Sequence, residues 1–83
     1  MKKSDIFKES LNVSVIFSML CYGFSIDEIA EAQGVPAAVV EWLNGYMWLY
    51  KEYRQIAKNG EYEKIQGYTE KMANLWRSIP ICA

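Results

Sequence analysis

Residues 23–43, GFSIDEIAEAQGVPAAVVEWL, decide the fold of this 83-residue chain. Ser25 followed three residues later by Glu28 is the pattern of a capping box, which starts a helix by satisfying two of its free N–H groups. Gly34 is the residue type that ends a helix in a left-handed turn. Pro36 suits the first position of the next helix, because its missing N–H costs nothing there. The stretch therefore predicts two short helices joined by a tight turn.

A longer helix is predicted before this stretch. We expect it to begin at Ser4 as the N-cap residue, with Asp5 in its first turn, and to end near Tyr22 with Gly23 beyond it. Residues 13–24 are apolar almost all round, which is typical of a central helix. Its expected buried face consists of Phe7, Leu11, Val13, Ile16, Phe17, Leu20 and Phe24.

A third helix is predicted from Ala37, with apolar residues in the 4-3-4-3-4 spacing of a packed seam. Asn44 and Gly45 lie in the middle of this seam, and we expect a break or kink there because an interior glycine costs about 1 kcal/mol relative to alanine. Asn59 and Gly60 close the section, and a last helix is expected from about Glu61 to Ser78, ended by Pro80. The seam is Val39, Leu43, Tyr46, Tyr50, Tyr53 and Ala57, and the last helix should bury Ile65, Tyr68, Met72, Leu75 and Ile79.

The order of these elements resembles the tri-helical core of the helix-turn-helix superfamily over residues 13–44. Ala30 is small where two helices of the family cross, and Gly34 allows the turn between them. The apolar positions that match are Ile29, Val35, Val40 and Leu43. The resemblance implies a single all-α domain over residues 1–83, a compact bundle of four or five helices round a helix-turn-helix-like core. Such a unit packs equally well in protein-binding modules.

The charge of this region argues against DNA reading by the motif. No lysine or arginine occurs between Lys8 and Lys51, and residues 9–50 sum to −5. A phosphate backbone is bound chiefly by Lys and Arg. The outward positions where DNA readers of the family carry hydrogen-bond donors are here Pro36, Ala37, Ala38 and Glu41. We therefore expect this surface to bind protein.

A block rich in aromatic residues lies at the end of the motif and beyond it. Its large apolar and aromatic side chains, which cover every side of the predicted helix, are Trp42, Tyr46, Met47, Trp48, Leu49, Tyr50 and Tyr53. One face can pack within a small domain, so the opposite face needs a cover, and Trp is a residue that interfaces favour as an anchor. We expect a homodimer, a protein partner of unknown identity, or both. The partner-binding candidates are Glu31, Ala37, Ala38, Glu41, Trp42, Met47, Trp48 and Leu49.

Nucleic-acid binding stays open through a different set of residues. Lys51, Arg54 and Lys58 fall at i, i+3 and i+7, so they share one face of a helix. Three cations are weak evidence for a site that binds a phosphate backbone. The same residues are also expected on the solvent-exposed side of a helix, where cations near the C-terminus offset the helix dipole. Nucleic acid is thus the disfavoured alternative.

The sequence contains few of the residues and motifs that catalysis or cofactor binding requires. The sequence has no histidine, no nucleophile beside a base, no glycine-rich phosphate loop and no metal-ligand spacing. Cys21 and Cys82 match no redox motif, and we expect two free thiols in a reducing cytoplasm. The apolar run VSVIFSMLCYGF after the N-terminal lysines is too short to cross a membrane. It is interpreted as a buried helix.

These expectations favour a small, non-enzymatic regulatory or inhibitor protein that acts by protein–protein binding. Its size and lack of catalytic groups are those of accessory proteins from phages and mobile elements. The alternative is a transcriptional regulator that binds DNA as a helix-turn-helix dimer.

Overall fold

The computed structural model describes residues 3–79 of the chain, with side chains for residues 8–79. The regular secondary structure of this part of the chain is all helical, and no strand occurs in it. Its elements are α1 (Lys3–Cys21), α2 (Ile26–Gln33), α3 (Ala37–Asn44), α4 (Met47–Lys58), a short 3₁₀ helix (Tyr62–Lys64) and α5 (Ile65–Arg77). The predicted all-α bundle of four or five helices is confirmed.

Helix α1 ends as predicted but starts earlier. Gly23 has a φ of +92°, and the N–H of Phe24 donates to the Met19 carbonyl at 3.2 Å. The Gly23 N–H donates to the Leu20 carbonyl at 3.1 Å, which completes a left-handed C-terminal cap. At the other end Lys3 is already helical, so the prediction that Ser4 is the N-cap was wrong. The side chain of Phe7, an expected core residue, lies outside the described side chains.

The capping box that opens α2 is confirmed in both directions. The Glu28 N–H donates to the Ser25 hydroxyl at 3.1 Å, and the Ser25 N–H donates to the Glu28 carboxylate at 3.0 Å. At the end of α2, Gly34 has a φ of +67°, and the Val35 N–H donates to the Ala30 carbonyl at 3.1 Å. This left-handed turn ends α2 and leads the chain into α3.

The predicted break at Asn44 and Gly45 is also confirmed. Helix α3 ends at Asn44, α4 begins at Met47, and the Tyr46 N–H donates to the Leu43 carbonyl at 2.8 Å. Gly45 has a right-handed φ of −67°, so the break does not use the left-handed freedom of glycine. A Cβ there would come within 3.3 Å of the Trp42 carbonyl oxygen. Glycine therefore suits this position because the Trp42 carbonyl oxygen lies close to its Cα, and not because the backbone needs a positive φ.

Helix α1 is the central element, because each of α2, α3, α4 and α5 packs against it. Its most extensive partner is α5, which runs antiparallel, since Glu9 near the start of α1 pairs with Arg77 at the end of α5 at 2.8 Å. The core is filled by Val13, Ile16, Phe17, Ile29, Ala30, Val39, Val40, Leu43, Leu49, Tyr50, Met72 and Ile79.

Two side chains expected in this core lie outside it. Leu11 is 45% exposed and Phe24 is 47% exposed, so the prediction that both are buried was wrong. Two residues along a helix are about 200° apart, so Leu11 points away from the face that Val13 buries. Phe24 follows the left-handed glycine and no longer continues the helix.

The C-terminal region differs from its prediction at its start. Instead of one helix from Glu61, the 3₁₀ helix precedes α5, which begins at Ile65. Met72 and Ile79 are buried as expected, whereas the expected core residues Ile65, Tyr68 and Leu75 are only partly buried. Pro80 and Cys82 lie outside the described residues. Within 3–79 no helix has the length and apolar character needed to span a membrane.

Candidate functional site

The first candidate surface is the outward side of α3, which we call the α3 face and define as Ala38, Glu41 and Trp42. These residues fall at i, i+3 and i+4 and therefore share one side of the helix. Ala38 and Glu41 are exposed, and Trp42 is half-buried. The Trp42 ring packs on Tyr46 with a centroid distance of 4.9 Å. Trp48 follows in the first turn of α4 and is 55% exposed.

The remaining predicted partner-binding residues divide between surface and core. Glu31 is exposed on α2, and Ala37 and Met47 are half-buried. Leu49 is only 2% exposed and packs inside the chain, so its side chain is not available to a partner in this conformation. The break after α3 is the physical reason. It lets α4 turn Leu49 inward while Trp48, one residue earlier, points outward.

A second surface was missed by the sequence analysis. Leu11, Val15 and Tyr22 are exposed and form what we call the α1 stripe. Their spacing of i, i+4 and i+11 places them within about 40° of one another round the helix. The Tyr22 N–H donates to the Ser18 carbonyl at 3.0 Å, so the stripe keeps helical geometry to its end. The signal was present in the sequence, because the face opposite Val13 also carries apolar residues.

The third surface is a groove of about 380 Å³, which we call the basic groove. Lys51, Arg54 and Lys58 line it together with Gln55 and Cys21. The three cations that the sequence placed on one helix face are thus brought together. Cys21, a free thiol at the end of α1, is exposed in the same groove.

Arg54 is the most constrained cation of the basic groove. Its Nη1 atom lies 3.6 Å from the Cys21 sulfur, and its guanidinium carbon lies 5.9 Å from the centroid of the Tyr50 ring. The Tyr50 ring in turn packs against Phe17 at a centroid distance of 5.6 Å. Arg54 is therefore held beside an aromatic ring that is anchored in the core, whereas Lys51 and Lys58 have no ion pair within the described residues.

Helix α2 carries a cluster of opposite sign, Asp27, Glu28 and Glu31, all exposed. The backbone N–H of Ser25, and to a smaller extent its hydroxyl group, donate hydrogen bonds to the Glu28 carboxylate and lower its pKa below the usual value. Asp27 and Glu31 form no ion pair in the described part of the chain. The cluster therefore presents three unneutralised carboxylates to solvent.

Neither a metal-ligand cluster nor an unpaired buried polar group marks a site in the described residues. In residues 3–79 no group of three or more His, Cys, Asp or Glu residues is arranged to hold a metal ion. The buried polar side-chain atoms of the same region all have hydrogen-bond partners. The exposed features that remain are apolar residues and segregated charges.

Comparison with models of protein families, with curated proteins and with solved structures gives no match to this chain. The resemblance to the helix-turn-helix superfamily therefore stays a prediction.

Proposed function

We propose that the chain is a small regulatory or inhibitor protein that acts by binding another protein, as accessory proteins of phages and mobile elements do. The observation that carries this proposal is the α1 stripe. Leu11 and Val15 stay exposed on the central helix although the opposite face of that helix is fully packed. Burial of such a side chain contributes about 1.5–3 kcal/mol when complete, so a partner that covers the stripe gains a substantial part of that free energy.

The α3 face with Trp48 is proposed as the second contact of the same partner. A half-exposed tryptophan supplies a large apolar area and an N–H donor, and tryptophan is enriched among the residues that dominate binding energy. Glu31 and Glu41 add negative charge, which acts mainly on association rate and orientation. In this proposal the protein works in a reducing cytoplasm, where Cys21 remains a thiol.

Site-specific photo-crosslinking in the native host tests the proposal. A photoreactive phenylalanine analogue is placed at Val15 or Trp48, and at Gln66 as the matched control, since Gln66 is exposed on α5 and belongs to neither surface. We expect one dominant adduct from the first two positions and none from Gln66. The same adducts at all three positions, or no adduct at Val15 and Trp48, would contradict the proposal.

A second candidate function is DNA binding by a helix-turn-helix dimer, and the basic groove is the observation that favours it. If all three cations contact phosphates, the logarithm of the DNA-binding constant should fall with the logarithm of the salt concentration with a slope of up to about −2.7. Each neutralised phosphate contributes roughly −0.9 to this slope. Our primary proposal expects no measurable binding to random duplex at physiological salt. Tight duplex binding that is lost on changing Lys51, Arg54 and Lys58 to Ala would establish the second candidate instead.

A further inference from the structure

We propose that two copies of this chain associate round a two-fold axis at the turn that contains Tyr22 and Phe24. In this arrangement the basic groove of each copy faces the acidic cluster of α2 in the other. The interface is separate from the segment Trp42–Leu49, for which the sequence predicts a dimer contact. It uses Tyr22 of the α1 stripe but leaves Leu11 and Val15 free, and its test needs no protein other than this chain.

The turn has the composition that the centre of such an interface requires. Tyr22 is 81% exposed and Phe24 is 47% exposed, so two aromatic side chains of one turn lie at the surface. Tyr22 borders the cavity lined by Ser18, Cys21, Tyr50 and Arg54, which places it at the edge of the basic groove. Phe24 immediately precedes Ser25, the N-cap of α2. The turn thus connects the end of α1, which lines the groove, to the start of α2, which carries the acidic cluster.

The charges on the two sides are equal and opposite. The groove carries three cations, Lys51, Arg54 and Lys58, and the cluster on α2 carries three carboxylates, Asp27, Glu28 and Glu31. Salt bridges in residues 8–79 do not neutralise either set. A two-fold rotation places the same patch of both subunits in contact, so a patch that is positive on one side and negative on the other is complementary to itself.

A second copy satisfies both halves of this surface, whereas other occupants satisfy only one. A nucleic-acid strand would complement the cations of the basic groove but would be repelled by the carboxylates of α2. An acidic peptide would meet the same repulsion. Two-fold pairing also closes on itself, whereas a head-to-tail arrangement of the same charges would build an open chain.

The expected association is weak and depends on salt. Exposed ion pairs are individually small contributions and are screened within about 10 Å at 0.1 M salt. We therefore expect a Kd on the order of tens of micromolar at about 50 mM NaCl, and at least a tenfold weaker Kd at about 500 mM.

Charge reversal in two variants tests the arrangement by sedimentation equilibrium. Lys51→Glu with Arg54→Glu gives the groove a net negative charge, and Asp27→Lys with Glu31→Lys gives the cluster on α2 a net positive charge. Neither variant should self-associate at about 50 mM NaCl, since each confronts like charges across the axis. Mixed in equal amounts, the two should form a heterodimer, because both contacts between groove and α2 are then complementary. Lys51→Glu with Lys58→Glu is the substitute if loss of the contact between Arg54 and Tyr50 impairs folding.

Variants with the same net charges but different positions are the matched controls. Lys64→Glu with Lys71→Glu, and Glu63→Lys with Glu70→Lys, change exposed residues of the 3₁₀ helix and α5. Each should retain the self-association of the unmutated chain at equal ionic strength. The proposal is overturned if the unmutated chain is monomeric at several hundred micromolar in low salt, if its dimer persists in both reversed variants, or if mixing them gives no heterodimer.

Discussion

The turn at Gly34 allows the sharpest test of the fold, because the cost of a side chain there is purely conformational. The residue has a φ of +67° and a ψ of 34°, and a Cβ built on it meets no atom within 4 Å. A left-handed backbone costs an L-residue about 1–2 kcal/mol. Gly34→Ala also lowers the entropy of the unfolded chain, which offsets about 0.4–1 kcal/mol of that cost. We expect a net destabilisation of about 0.5–1 kcal/mol for alanine, and more than about 1 kcal/mol for Gly34→Val.

Gly67 provides the matched control, because the same substitution should have the opposite sign there. It lies inside α5 without the left-handed backbone, and a Cβ meets nothing within 4 Å. Gly67→Ala should stabilise the protein by about 0.5–1 kcal/mol, since glycine is unfavourable in a helix interior. The two alanine variants should then differ by about 1.5 kcal/mol, which is roughly 6–12 °C in melting temperature for a domain of this size.

Thermal and urea unfolding followed by circular dichroism measure both effects. Equal melting temperatures for Gly34→Val and the unmutated chain would refute the left-handed turn between α2 and α3. Such a result would also count against the predicted resemblance to the helix-turn-helix superfamily, because that resemblance requires this turn. If Gly67→Ala were destabilising, the assignment of an exposed helical position at Gly67 would be wrong.

Four further expectations concern packing, capping, the pH dependence of stability and the contact at the end of α5. Ile29→Ala should cost about 2–5 kcal/mol in urea unfolding, whereas Leu11→Ala should stay within about 0.5 kcal/mol, because only the first side chain fills the core. Ser25→Ala should cost about 1 kcal/mol by loss of the cap. Because the pKa of Glu28 is lowered in the folded state, its contribution to stability is present above its ordinary pKa of 4.5 and is lost as the pH falls through the lowered value. Glu28→Gln should remove this part of the pH dependence of the free energy of unfolding. Urea unfolding curves of the two proteins, recorded between about pH 6 and pH 3, would measure the difference. Arg77→Ala should cost less than about 1 kcal/mol, since its pairing with Glu9 is near the surface.

The local elements of this protein were determined by short-range chemistry that the sequence displays. Ser25 and Glu28 specify the start of α2, and Gly23 and Gly34 specify the left-handed ends of α1 and α2, because each effect involves atoms only a few residues apart. The break at Gly45 was also predictable, since an interior glycine weakens a helix. The three cations of α4 share a face by helical period alone.

Only the tertiary structure decided which apolar residues are buried and which surfaces face solvent. Residues 13–24 are apolar almost all round, so their pattern does not distinguish the face that packs on α5 from the α1 stripe. The inward position of Leu49 and the outward position of Trp48 depend on the direction that α4 takes after the break. Likewise, Cys21 joins Arg54 in one groove through the packing of α1 against α4, across 33 residues of chain. Helical period fixes angles within one helix, but the relative placement of helices follows from how their side chains fill a shared core.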